Sequence, residues 1–274
     1  MDTKSFPPRV HILLARDSPH AVVIRRGPAK QTCILGWDRR RNTFTVGQWL
    51  KGRIYERRCD ISPDGQHWIY FAMNGKWDSE TGGCWTAIAR TPYLKALDLA
   101  GQSSTYYGGG LFIDNRTIWE MGGDKYLRRS GLFQQGDPDF ITRYYGTGCP
   151  SVYYPRLERD GWKMRGTTIN DTKYSGVLFE KELPADWKLI KIIHAGNSSE
   201  GQGVYWDEHL LIRKDGTIDT FSDWEWAEWA DESLYYVTEG RLFQIKIIND
   251  SQLSEPVCLH DFHPYQFEAK PAPY

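Results

Sequence analysis

Residues 60–72 read Asp60-Ile-Ser-Pro-Asp-Gly-Gln-His-Trp-Ile-Tyr-Phe-Ala72: a tight Asp-Gly turn running straight into an aromatic and β-branched strand. Hairpin turns need positive φ, which Gly and Asn tolerate. Similar β-rich runs recur as Gly176-Val-Leu-Phe-Glu180 and Leu234-Tyr-Tyr-Val-Thr238, while amphipathic spacing at i, i+3, i+4 never persists beyond about two turns. The chain reads as all-β.

A longer period lies outside that stretch. Thr105-Tyr-Tyr-Gly-Gly-Gly-Leu-Phe-Ile-Asp-Asn115, Val152-Tyr-Tyr-Pro-Arg-Leu-Glu-Arg-Asp-Gly161 and Val204-Tyr-Trp-Asp-Glu-His-Leu-Leu-Ile-Arg-Lys-Asp-Gly216 share one plan. Each has a β-branched residue, two aromatics, a Leu-containing segment and an Asp-Gly or Asp-Asn turn. Starts near 57, 106, 153 and 205 lie about 49 residues apart, a spacing expected of propeller blades. Four strands fit each period. In the second they are Cys59 to Ser62, Gln66 to Met73, Cys84 to Ala89 and Lys95 to Leu99. In the fourth they are Val152 to Leu157, Trp162 to Thr167, Tyr174 to Glu180 and Leu189 to His194.

The expected fold is a single-domain β-propeller with five blades, a sixth shortened one near Trp224 being the alternative. Blades fall near 8–56 with 254–274, 57–105, 106–152, 153–204 and 205–253, and Glu255 to Phe262 adds to the first blade to close the ring.

The Asp60 to Ala72 segment resembles the TolB-type, WD40-like propeller repeat, whose core is Ser-Pro-Asp-Gly followed by an alternating strand. Trp229 to Thr238 is a fainter echo that lacks Pro and Gly. The resemblance covers about a tenth of the chain and implies a propeller. Trp37-Asp38, Trp77-Asp78 and Trp206-Asp207 lack the Gly-His…Trp-Asp setting of WD40 blades.

Composition narrows the function. The 274 residues carry 34 Lys+Arg and 35 Asp+Glu, a net charge of −1, which argues against nucleic acid or an anionic membrane as a partner recognised by bulk charge. Arg39-Arg-Arg41, Arg57-Arg58 and Arg128-Arg129 read as solvated edge charges. No apolar run reaches membrane-spanning length. Met1-Asp-Thr-Lys4 does not open a secretory leader. Cys33, Cys59, Cys84, Cys149 and Cys258 are odd in number and widely spaced, so they read as reduced thiols and favour the cytoplasm.

The skew is aromatic: 12 Trp, 16 Tyr and 11 Phe. In a strand, neighbouring side chains face opposite ways. One ring of each pair, Tyr106-Tyr107, Tyr153-Tyr154 and Tyr205-Trp206, should therefore pack between blades while the other faces the channel or its rim. Alternation also puts Trp224 and Trp226 on one face with Glu225 opposite, beside Asp223, Glu228, Trp229, Asp231 and Glu232. The binding candidates are Tyr107, Tyr154, Trp206, Asp207, Trp226 and Glu228, a stacking surface for a protein partner or a small polar, sugar-like ligand. The alternative is a carbohydrate-active hydrolase with a channel carboxylate pair drawn from Asp60, Asp207, Glu208 and Glu228.

No cofactor or metal is expected. Gly108-Gly-Gly110 lacks the Gly-Lys-Ser/Thr of a phosphate loop and reads as backbone room against a neighbour. His260 and His263 would fall on opposite sides of a strand, and Asp207-x-His209 offers only two ligands. There is no Gly-x-Ser-x-Gly or other sign of an activated nucleophile.

Overall fold

The computed structural model describes residues 6–27, 30–102, 104–122, 125–168, 176–196 and 203–274. The Met1 to Lys4 stretch and the Tyr174 start of an expected strand lie outside them. Five small sheets account for nearly all regular structure, and the fold is a five-bladed β-propeller.

The first sheet holds β1 (Arg9–Leu14), β2 (His20–Arg26), β3 (Gln31–Asp38) and β4 (Thr43–Lys51) in sequence order. The second holds β5 (Arg53–Ile54), β6 (Asp60–Ile61), β7 (His67–Met73), β8 (Cys84–Arg90) and β9 (Ala96–Gly101). The third begins with β10 (Gly110–Phe112) and β11 (Thr117–Glu120). The chain then returns as β12 (Lys125–Arg128) to pair with β9, before β13 (Gln134–Gln135) joins β11 in parallel. The fourth comprises β14 (Lys163–Thr168), β15 (Gly176–Glu182), β16 (Lys188–Ala195), β17 (Tyr205–Ile212) and β18 (Ile218–Phe221). The fifth comprises β19 (Trp224–Ala230), β20 (Ser233–Thr238), β21 (Arg241–Ile245) and β22 (Val257–Asp261).

The chain divides into two compact units, Met1–Val10 with Gly161–Pro264, and His11–Asp160 with Tyr265–Tyr274. In the second unit the Ser-Pro-Asp-Gly turn is fully hydrogen-bonded. Ser62 Oγ donates to Asp64 Oδ1 (2.6 Å), which also accepts from the Gln66 amide (3.0 Å). The Asp64 amide donates to Asn115 Oδ1 of the next Asp-Asn turn (2.9 Å). The two repeated turns therefore fasten to each other, and β7 leaves with Trp68, Ile69, Phe71 and Ala72 in the core.

Three sequence expectations are corrected. Residues 152–157, read as a strand, lie in α1 (Pro150–Arg159). Pro150 starts the helix with its fixed φ, and the Asp160-Gly161 pair, read as a hairpin turn, ends it, with Gly161 at φ +90. Val152, Tyr153, Arg156 and Leu157 are buried at helical spacing. Arg156 decides the outcome, because its guanidinium reaches the Glu56 carbonyl (3.2 Å), the Cys59 carbonyl and His11 Nε2 (3.1 Å).

With the helix taking up 150–159, the fourth sheet runs from 163 to 221, across the boundary placed at 204/205, and a sheet starting at Trp224 is the fifth rather than a sixth.

The third correction concerns closure. β22 pairs with β21 and completes the last sheet instead of adding to the first, because the Ile247–Leu253 bridge turns the chain straight back. The C-terminal tail packs on the second unit without forming a strand. Gln48 Nε2 donates to the Lys270 carbonyl (2.7 Å), and the Tyr274 hydroxyl donates to the Lys95 carbonyl (2.6 Å).

Among the described residues all five cysteines are free thiols, and only Cys258 is exposed. Burial pushes the Cys33 thiol up to about 12. No helix among the described residues is long and apolar enough to cross a membrane.

Candidate functional site

The second unit carries an open groove of about 640 Å3 built on β11, the turn at Tyr107, the 141–147 loop and the first turn of α1. β11 alternates: Ile118 enters the core beside Phe112 and Phe133, while Trp119 turns the other way, against Leu111, Met121 and Val152. Trp119 lines the groove with Tyr107, Tyr144 and Tyr145. Tyr107 is 45% exposed and Tyr144 84%, and among the described residues neither hydroxyl has a hydrogen-bond partner.

The polar groups there are of both signs. Glu120 backs β11 from the Ile118 face, where its Oε2 accepts from the Tyr126 hydroxyl and from Gln135 Nε2 (3.0 Å), and burial raises its carboxyl above the ordinary range. The Tyr145 hydroxyl donates to Glu158 Oε2 (2.9 Å); burial and that carboxylate push the phenol up to about 12. Arg143 Nη2 lies 3.9 Å from Glu158 Oε1. Tyr154 stands behind the wall, edge-on to Tyr145 at 5.3 Å.

Arg58, in the turn Glu56–Arg58, underpins the groove. Its Nη1 donates to the carbonyls of Thr105 (2.8 Å) and Tyr107 (3.0 Å), and its guanidinium covers Phe71 at 4.7 Å. The three glycines that follow Tyr107 are there for space. A Cβ on Gly108 would overlap the Phe71 ring, one on Gly109 the Arg58 carbonyl, and one on Gly110 the Trp119 carbonyl. The reading of this run as backbone room agrees with that crowding.

Tyr107 and Tyr154 therefore belong to one locality of the second unit, though not as strand neighbours. Tyr106 and Tyr107 are both exposed in a turn, so neither packs between sheets. Tyr153 and Tyr154 lie within α1, where consecutive residues do not face opposite ways.

The other candidates lie in the first unit. Trp206 is 8% exposed, with its indole stacked on the His194 ring at 4.9 Å. With Asp207 it lines a small pocket that also holds Arg9, Trp224 and Glu225. Trp226 is buried and does not reach that pocket. Glu228 accepts from Trp162 Nε1 (2.9 Å) and from Lys181 Nζ.

The pairing of β19 with β20 explains why the tryptophan platform fails to form. Trp224 sits opposite Thr238 but Trp226 opposite Val237, so a β-bulge at Glu225 throws the two indoles to opposite faces. Trp224 joins a stack with Tyr236 (4.1 Å) and Phe221 (3.9 Å). Glu225 Oε2 accepts the Val10 amide (3.1 Å) and faces Arg9 Nε at 3.8 Å.

Each carboxylate considered for a catalytic pair already faces a basic group. Asp60 is held by Arg159 at 2.6 and 2.9 Å. Asp207 faces Lys191 at 3.8 Å, Glu208 faces His194 at 3.2 Å, and Glu228 binds Lys181. His209 Nδ1 meets the Trp224 carbonyl at 3.0 Å, and His263 Nδ1 meets Asp261 at 2.6 Å. No group of three or more metal-ligating side chains occurs among the described residues.

Sequence reasoning did not single out Trp119, Glu120, Tyr144 or Tyr145. Tyr144-Tyr145 is a further adjacent aromatic pair and was the available signal. It was missed because it lies outside the 49-residue plan.

No known protein family's sequence pattern matches the chain, and no curated protein matches it. Among solved structures, one titled "Crystal structure of the tricorn protease" aligns with 92% of this chain and 22% of that one, at 9% identity and a TM-score of 0.23. A likeness that slight carries no argument. The chain spans about a fifth of the matched chain's length.

Proposed function

We propose that this chain is a non-catalytic binding protein that takes a small polar ligand in the groove of the second unit. One observation carries the reading: four aromatic side chains, Tyr107, Trp119, Tyr144 and Tyr145, drawn from three segments, line one groove with two hydroxyls free to bond. Large rings left in water are poorly explained by packing, whereas rings flanking polar groups suit recognition of a flat-faced ligand. The groove's volume lies within the roughly 300–1,000 Å3 of small-molecule sites.

Thermal denaturation against a panel of saccharides, nucleosides, polyamines and amino acids tests this. A ligand present at 100 times its Kd contributes about 2.7 kcal/mol, raising Tm by roughly 5–10 °C. That rise should vanish in Tyr107→Ala and Tyr144→Ala, whose own melting barely changes. A ligand that stabilises both variants as well as the parent binds elsewhere and overturns the assignment.

A further inference from the structure

Resting on the reading just given, we infer that the ligand class of the Tyr107–Trp119–Tyr144 groove is a short neutral saccharide. Charge is the first argument. The guanidinium of the groove, Arg143, stands 3.9 Å from the Glu158 carboxylate, so no net field selects an anion or a cation.

Hydrogen-bonding capacity is the second. The Tyr107 and Tyr144 hydroxyls have no hydrogen-bond partner among the described residues, and each can both donate and accept. Donors and acceptors therefore stand beside aromatic faces. A pyranose needs that combination, since its C–H face packs on a ring while its edge hydroxyls both give and take hydrogen bonds.

Topology is the third. A peptide recognised through its backbone needs an open strand edge. β11, the strand that supplies Trp119, is paired with β10 over Gly110 to Phe112 and with β13 at Thr117 and Ile118, which leaves on the β13 side an edge of only Trp119 and Glu120, too short to seat a strand.

Saturation-transfer NMR on the full chain tests the inference, with cellotriose, maltotriose and chitotriose as neutral probes and glucose 6-phosphate and spermidine as charged ones. At least one neutral trisaccharide should receive transfer, strongest at its ring C–H protons. Tyr144→Ala should weaken that binding about tenfold, ~1.4 kcal/mol. No transfer to any neutral trisaccharide overturns the saccharide class. Tighter binding of a charged probe that still depends on Tyr144 also overturns it, while leaving the groove as the site. Saccharide binding that survives Tyr107→Ala with Tyr144→Ala overturns the site and the class together.

Discussion

Asp60→Ala separates a structural carboxylate from a catalytic one. Asp60 is 1% exposed and grips Arg159 with both oxygens, Nη1 to Oδ2 at 2.6 Å and Nη2 to Oδ1 at 2.9 Å. Oδ2 also accepts the Phe112 amide at 2.8 Å, tying the second sheet, the third sheet and the last turn of α1 to one side chain. Removing one partner of a buried pair costs about 3–5 kcal/mol. Arg159 keeps Asp160 at 2.8 Å, which places this pair at the low end, about 3 kcal/mol. The orphaned Phe112 amide adds about 1 kcal/mol or more. The total is roughly 4 kcal/mol, a fall in Tm of roughly 8–16 °C. Urea denaturation followed by circular dichroism measures it, and Asp60→Ala with Arg159→Met should recover part of the loss, because no buried charge is then left short of its partner. A loss under about 1 kcal/mol, within the range of ordinary surface substitutions, would refute the reasoning.

Further outcomes follow from other buried groups. His209 is fully buried, and desolvation, with help from Lys191, lowers its pKa to about 3. Unfolded histidine titrates near 6.5, so between those values the unfolded chain binds the extra proton and stability falls as pH falls. By pH 5 the loss is about 2 kcal/mol, and His209→Asn, which keeps a donor for the Trp224 carbonyl, should flatten the stability profile between pH 6.5 and 5. Gly109→Ala places a Cβ on the Arg58 carbonyl at φ +89 and should cost roughly 2 kcal/mol or more in urea denaturation. Trp206→Ala and Trp226→Ala each empty a core position and should cost about 3–5 kcal/mol, against under about 0.5 kcal/mol for the exposed Tyr144→Ala; equal losses would contradict the burial described.

The fold was legible where local chemistry and tertiary packing agree. The Ser-Pro-Asp-Gly turn and the strands at 67–73, 84–90 and 188–195 follow from turn residues and β-branched runs, and their bonding matches that origin. The reading failed where a long-range contact overrode local preference. Val152-Tyr-Tyr-Pro resembles the other aromatic pairs, but α1 is decided by Arg156 and Arg159 reaching carbonyls and a carboxylate about a hundred residues earlier. The Glu225 bulge left no mark that period-2 counting could detect, yet it reversed the face of one indole. The site was half visible. Tyr107 was among the candidates, but Trp119 and Tyr144 join it only through the turn that Arg58 holds and the loop before α1, and no spacing rule links those segments.

The groove itself is tested most directly by its floor. The chain has four methionines, of which Met121 lies in the groove and Met73 in β7 does not. In a spectrum of the protein labelled at the methionine methyl carbons, titration with the saccharide that binds should shift the Met121 signal and leave that of Met73 in place. A saturable shift of Met73 with Met121 unmoved would contradict the account.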